Sequence, residues 1–170
     1  GGAATGKSTG AKMISEKYNL KFLSSGLLYR YAGYLLLKNQ PKNRISFLNK
    51  KFKNLNYKKL EKINLHTQNI SEFSAKIAKV DTVRKILKKY QLSFIKRNRK
   101  CCIEGRDIST KILPKAKIKF FFICNLNIAS IRRFKELKKF NPSLRLSDVI
   151  KDLRTRNIID ANRKNSTLLK

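Results

Sequence analysis

Gly1–Thr9 reads G-G-A-A-T-G-K-S-T and fits the pattern G-x-x-x-x-G-K-[ST] at Gly1, Gly6, Lys7 and Ser8. This spacing suits the chemistry of holding a polyphosphate. The small residues Gly1, Gly2, Ala3, Ala4, Thr5 and Gly6 let the backbone curl, so that several N–H groups face one anion. Lys7 supplies a charge that can reach the outer phosphates, and the Ser8 hydroxyl can hold Mg²⁺. A helix starting near Lys7 and running through Thr9 would add its positive dipole end to the same spot. Residues 1–9 therefore predict a nucleoside-triphosphate site. Such a motif follows a β-strand, so the sequence reads as one that begins inside a βα unit.

Phosphoryl transfer needs the charge on the moving group neutralised and the two flanking oxygens held in line. Arginine suits the task, because it forks onto two phosphate oxygens and never loses its charge. Candidates stand in four places. Arg30 follows the run Ser24-Ser25-Gly26, and Arg84 lies near the start of a predicted helix. Arg106 lies in a polar loop directly after a predicted strand, where α/β sheets bind ligands. Arg156 and Arg163 bracket Asp160. Three of only ten acidic residues, Glu104, Asp107 and Asp160, fall in these same segments. Glu104 and Asp107 serve either a ligand or Arg106 itself, as a structural brace. His66, the only histidine, has no partner at ligand or triad spacing and reads as structural or exposed.

The elements that must position these residues alternate. Helical spacing predicts a helix from Lys7 to Tyr18, closed by Asn19. Lys21–Leu23 is a short strand candidate, Ser24–Gly26 a turn, and Leu27–Lys38 a second helix ended by Pro41. Residues 42–65 read as a Lys/Asn-rich insert with a weak helix near Tyr57–Leu65. Ser71–Lys79 is predicted as a short helix. Asp81 is predicted to cap a helix reaching Arg97, with Val83, Leu87, Tyr90 and Phe94 on one face. Cys101–Ile103 and the near-continuous apolar run Ile118–Cys124 are predicted strands, the latter suited to a parallel strand covered on both faces. Asn125 or Asn127 can cap a helix over Ile128–Phe140, and Ser147 one running past Leu153 towards Asp160. The class is α/β with a parallel sheet.

The 170-residue chain suits one domain. It has no apolar run of the roughly 18–20 residues that span a membrane. Its three cysteines form neither C-x-x-C spacing nor a Cys/His cluster, which speaks against zinc. Cys102 and Cys124 are expected to be buried thiols. Lys and Arg number 41 against 10 acids, a net charge of +31. The cations are dispersed, with one local block at Lys42–Lys62, and no RNP-like motif or zinc finger accompanies them. They read as a surface bias with weak nonspecific polyanion binding, with no specific nucleic-acid partner. The same field would steer an anionic nucleotide inward. No oligomer is predicted.

Taken together and in order, G-G-A-A-T-G-K-S-T, L-S-S-G-L-L-Y-R, A-K-I-A-K-V-D-T-V-R, E-G-R-D-I-S-T and R-N-I-I-D-A-N-R resemble bacterial cytidylate kinases over nearly the whole chain. The resemblance implies a three-layer P-loop nucleoside-monophosphate-kinase fold with a five-stranded parallel sheet. It also implies an NMP-binding insert over about residues 39–80 and a mobile lid over about residues 147–164. It places the first strand before Gly1 and the last after Lys170. It implies a cytoplasmic enzyme that uses ATP and Mg²⁺ to convert CMP or dCMP to CDP or dCDP. Carried over by position, Gly1–Thr9 bind ATP and Ser8 the metal. Ser25, Arg30, Arg84, Arg106, Asp107, Asp160 and Arg163 bind CMP, and Lys7, Arg106 and Arg156 are catalytic. The chain departs from the family's usual pattern at Ala75, Asp81, Asn157 and Ile159. The alternatives are a basic nucleic-acid-binding protein with an incidental P-loop-like turn, or an inactive partial kinase.

Overall fold

The computed structural model describes residues 1–162, with Asp160 described through its backbone alone. The elements run α1 (Lys7–Lys17), β1 (Lys21–Ser24), α2 (Ser25–Asn39), α3 (Arg44–Lys53), a 3₁₀ helix (Tyr57–Lys62), α4 (Gln68–Ile77) and α5 (Asp81–Arg97). They continue with β2 (Cys101–Glu104), a π-helical turn (Ile108–Ile112), α6 (Leu126–Lys138) and α7 (Leu146–Ala161). The chain divides into two units. One comprises Leu20–Cys102, and the other Gly1–Asn19 with the described residues from Ile103 onward.

In the Leu20–Cys102 unit, β1 pairs with β2, whose first two residues belong to this unit, in a two-stranded parallel sheet, and the Lys21 N–H donates to the Lys100 carbonyl at 3.0 Å. Helix α2 packs chiefly on α4, and α3 packs on α5. The amphipathic spacing explains these choices. Leu28, Ala32, Leu35 and Leu36 of α2, Leu48 and Phe52 of α3, and Val83, Ile86, Leu87 and Tyr90 of α5 are all buried. Phe52 joins α2 to α5: its ring lies 5.9 Å from that of Tyr31 and 6.0 Å from that of Tyr90, both edge-on.

Most helix starts in this unit are capped as the residue types require. Ser24, Asn43 and Thr67 accept from the N–H groups of Leu27, Ser46 and Ile70, which begins α2, α3 and α4. The predicted Ser24–Gly26 turn is thus the cap and first turn of α2. Helix α3 was not predicted. Asp81 is not the cap of α5 but its first residue, after Val80, where its charge still favours the helix start.

In the other unit, Ala3, Ala129, Leu144, Val149 and Leu153 form a small core. Ala4, Cys124, Leu126, Phe134 and Leu137 pack against it, and α6 lies against α7. Asn125 caps α6, as predicted. Ser147 is not the cap of α7. The helix starts two residues earlier than that cap implies, with Arg145 at the cap position and Asp148 in the first turn.

Ile118–Cys124 is not a strand, contrary to expectation. A strand needs a neighbour for its N–H and C=O groups, and none among the described residues pairs with this run. Ile118, Phe120 and Ile123 are exposed as a result. Cys102 and Cys124 are free thiols, as expected, but they are half-buried rather than buried.

Candidate active site

Helix α1 starts in an unusual way. Its cap position holds Gly6 at φ 83°, ψ 3°, with no side chain to accept from the first-turn N–H groups and no acid in that turn. Among the seven described α-helices, the other starts carry either a side-chain cap or an acidic first-turn residue. The positive end of α1 thus has no cap side chain or first-turn acid of its own, which suits it to an external anion. Ala4, at φ 54°, is also left-handed. Left-handed residues alternating with ordinary ones turn successive N–H groups towards a common concavity.

Side chains then brace this loop. The Lys7 ammonium donates to the Gly2 carbonyl at 2.9 Å, and the Thr5 hydroxyl donates to the same oxygen at 3.2 Å. From α7, the Asn157 side-chain oxygen accepts from the Ala3 N–H at 3.2 Å. Its neighbour Arg156 is half-buried. Ser8 is exposed on the first turn.

The electrostatics link this loop to the segment after β2. Lys7, Arg106 and Glu104 all lie within electrostatic reach of Gly1. Glu104 and Asp107 are buried, while Arg106 is half-buried. The backbone holds this segment tightly. The Asp107 carbonyl accepts from Lys111 N–H at 2.8 Å, and the Ile108 carbonyl from Leu113 N–H at 2.7 Å, the latter bond spanning a π-helical turn.

The Leu20–Cys102 unit holds the other candidates. Ser25 is the first residue of α2 and is buried; its hydroxyl oxygen accepts from the Gln91 amide at 2.6 Å. Arg30 donates to His66 Nδ1 at 2.9 Å and to the Leu65 carbonyl at 3.4 Å. Arginine is always a donor, so Nδ1 is the acceptor and the imidazole proton sits on Nε2. Arg84 donates to the Ala78 carbonyl at 3.1 Å, with its guanidinium 6.0 Å from the centre of the Tyr29 ring. Ser25, Arg30 and Arg84 are thus each fixed by a neighbour within their own unit. The Asp160 side chain and Arg163 lie outside the described residues.

The reading of the sequence missed Gln91, Tyr57 and the role of His66. The Tyr57 hydroxyl accepts from the Ser24 N–H at 2.7 Å. For Gln91 a signal existed: Val83, Leu87 and Gln91 fall at i, i+4 and i+8, which puts an amide on the apolar face. For His66 there was none, because its partner lies 36 residues away.

A glycine-bearing loop opening an uncapped helix, followed in sequence by a strand that ends in a carboxylate–arginine loop, defines a P-loop phosphate-binding α/β protein. The cytidylate kinase family model matches residues 1–170. The cytidylate kinase of Bartonella tribocorum is 35% identical, covering 99% of this chain and 79% of that protein. That of Fusobacterium nucleatum is 32% identical (100% and 83%), and that of Clostridium botulinum 34% (96% and 80%). The chain belongs to the cytidylate kinase family and has its P-loop nucleoside-monophosphate-kinase fold. Among the described residues, no helix is long and apolar enough to cross a membrane.

Proposed function

We propose that the protein transfers the γ-phosphoryl group of ATP to CMP or dCMP, giving ADP and CDP or dCDP. Family membership supports the reaction class. The observation that supports the site is the start of α1 from left-handed Gly6, with no cap side chain or first-turn acid of its own and with Lys7 bonded into the loop at the Gly2 carbonyl.

In this reading Gly1–Thr9 hold the ATP phosphates through loop N–H groups. Lys7 exchanges its bond to the Gly2 carbonyl for phosphate oxygens. Arg106 and Arg156 offset the charge that builds on the moving phosphoryl group, which is the largest demand of such a reaction. Ser25, Arg30, Arg84, Asp107, Asp160 and Arg163 hold and orient CMP. Residues 39–80 form the NMP-binding insert. Residues 147–164 form the lid that excludes water and prevents wasteful ATP hydrolysis.

The donor set also fits Mg²⁺. That ion keeps most of its waters and takes one or two protein oxygens alongside substrate phosphates, and Ser8 offers an exposed hydroxyl on the first turn of α1. When bound, Mg²⁺ supplies charge neutralisation at the phosphates. Among the described residues, no cluster of three or more His, Cys, Asp or Glu stands ready for a metal bound by protein alone. A cytoplasmic location belongs to the same proposal, since ATP is the phosphoryl donor.

The test is ADP release over CMP, dCMP, UMP and AMP at equal concentration. CMP and dCMP are expected to be the best acceptors, and faster turnover of AMP or UMP would overturn the base assignment. Lys7→Ala is expected to lose at least about a hundredfold in kcat, the scale of removing one transition-state donor. Retained turnover would reject the loop assignment.

A further inference from the structure

The buried face of α5 carries Val83, Ile86, Leu87 and Tyr90, and with them Gln91, which is only 2% exposed. An apolar side chain would be the cheaper occupant, because a buried amide must find a partner or forfeit its hydration. Gln91 finds Ser25 across 66 residues of sequence, its Nε2 2.6 Å from the Ser25 hydroxyl oxygen. Both residues are almost fully buried, so the bond is shielded from competing water.

A serine hydroxyl has one proton to give and two lone pairs to receive. The Gln91 amide fills one lone pair and so directs the proton elsewhere. Ser25 is also the first residue of α2, at the positive end of that helix, where an anionic group is favoured. We propose that Gln91 is a positioning residue: it sets the Ser25 hydroxyl as a donor towards a phosphate oxygen of the pyrimidine monophosphate. The inference rests on the reading that Ser25 touches CMP.

The experiment measures KM for CMP and for ATP, kcat and the melting temperature of the full-length protein. The variants are Gln91→Met, Ser25→Ala and the double variant. Methionine keeps the shape of glutamine and removes the donor. Gln91→Met is expected to raise the CMP KM about three- to tenfold, the worth of one hydrogen bond, with the ATP KM unchanged. The double variant is expected to match Ser25→Ala alone, because the two residues act as one unit.

A residue that merely stabilises the core would lower the melting temperature and leave the CMP KM alone. That result, or fully additive KM effects, overturns the inference. If Gln91→Met does not fold, Gln91→Asn, which draws the amide back by one methylene, is read by the same criteria. Inhibition by cytidine, which lacks the phosphate, is expected to be the same in Gln91→Met as in wild type; an equal weakening overturns the phosphate assignment. If Ser25→Ala itself leaves the CMP KM unchanged, the inference falls with the Ser25 assignment. A wild-type protein inert towards CMP is a separate result, and it strikes the wider reading.

Discussion

Gly6 stands at φ 83°, ψ 3°, immediately before α1. A Cβ built there meets its nearest neighbour, Arg132 Nη1, at 3.8 Å, an ordinary contact. Crowding therefore contributes nothing to the cost of Gly6→Ala, and the whole cost lies in the backbone. An L-residue held left-handed costs roughly 1–2 kcal/mol. The stiffer unfolded chain offsets roughly 0.4–1 kcal/mol of that. Gly6→Ala should then destabilise the fold by about 1 kcal/mol, the centre of a range of roughly 0–1.6. For a domain of this size 1 kcal/mol lowers the melting temperature by about 2–4 °C. Ala4 gives the mirror experiment, because it already sits at φ 54°. Ala4→Gly relieves the same strain but removes a methyl packed against the Ala3–Leu153 core, so its net effect should be close to zero. Gly6→Asn should fall between wild type and Gly6→Ala, since asparagine tolerates this region. Thermal unfolding followed by far-UV circular dichroism reads all three. If Gly6→Ala melts at or above the wild-type temperature, the left-handed geometry assigned to Gly6 is wrong.

Phe52→Ala removes the ring that joins Tyr31 to Tyr90 and is expected to cost about 3–5 kcal/mol in urea unfolding. A loss under 1 kcal/mol would mean that α3 does not pack on α5. Alkaline pH should weaken the same region. Burial raises the Tyr90 pKa above 10.0, with Arg97 opposing, and burial followed by Tyr34 raises that of Tyr31. The unfolded chain thus gives up these protons first. Their contribution is complete below pH 10 and is lost as pH rises from 10 through the folded values. Tyr90→Phe forgoes the 3.3 Å bond to the Leu55 carbonyl, so it should be less stable than wild type at pH 8, with the gap narrowing above pH 10. A gap that stays constant to pH 11 would contradict the shift.

Local signals were legible in the sequence, and non-local ones were not. The phosphate loop could be read because its curl and the helix after it are set by neighbouring residues: Gly6, Lys7 and the absence of an acid. Asn125 was readable as a cap for the same reason. Helix α3 was missed because Lys50, Lys51 and Lys53 hide the i, i+4 pair Leu48 and Phe52, although Asn43 offered a cap. Ile118–Cys124 has strand composition, but composition does not supply the partner that a ladder needs. The apparent caps Asp81 and Ser147 were misplaced by one or two residues, the usual blur of helix ends. Ser25 and Arg30 were legible as candidates. What orients them, Gln91 and His66, came together only through the packing of α2 against its neighbours.

The most direct measurement follows the phosphoryl group itself. ATP labelled at the γ-phosphorus is mixed with CMP, Mg²⁺ and the protein, and the products are separated. The account predicts that the label appears in CDP at the rate at which ADP forms, and that it does so at a small fraction of that rate with Lys7→Ala. Label recovered as inorganic phosphate, or in ADP when AMP is offered beside CMP, would contradict it.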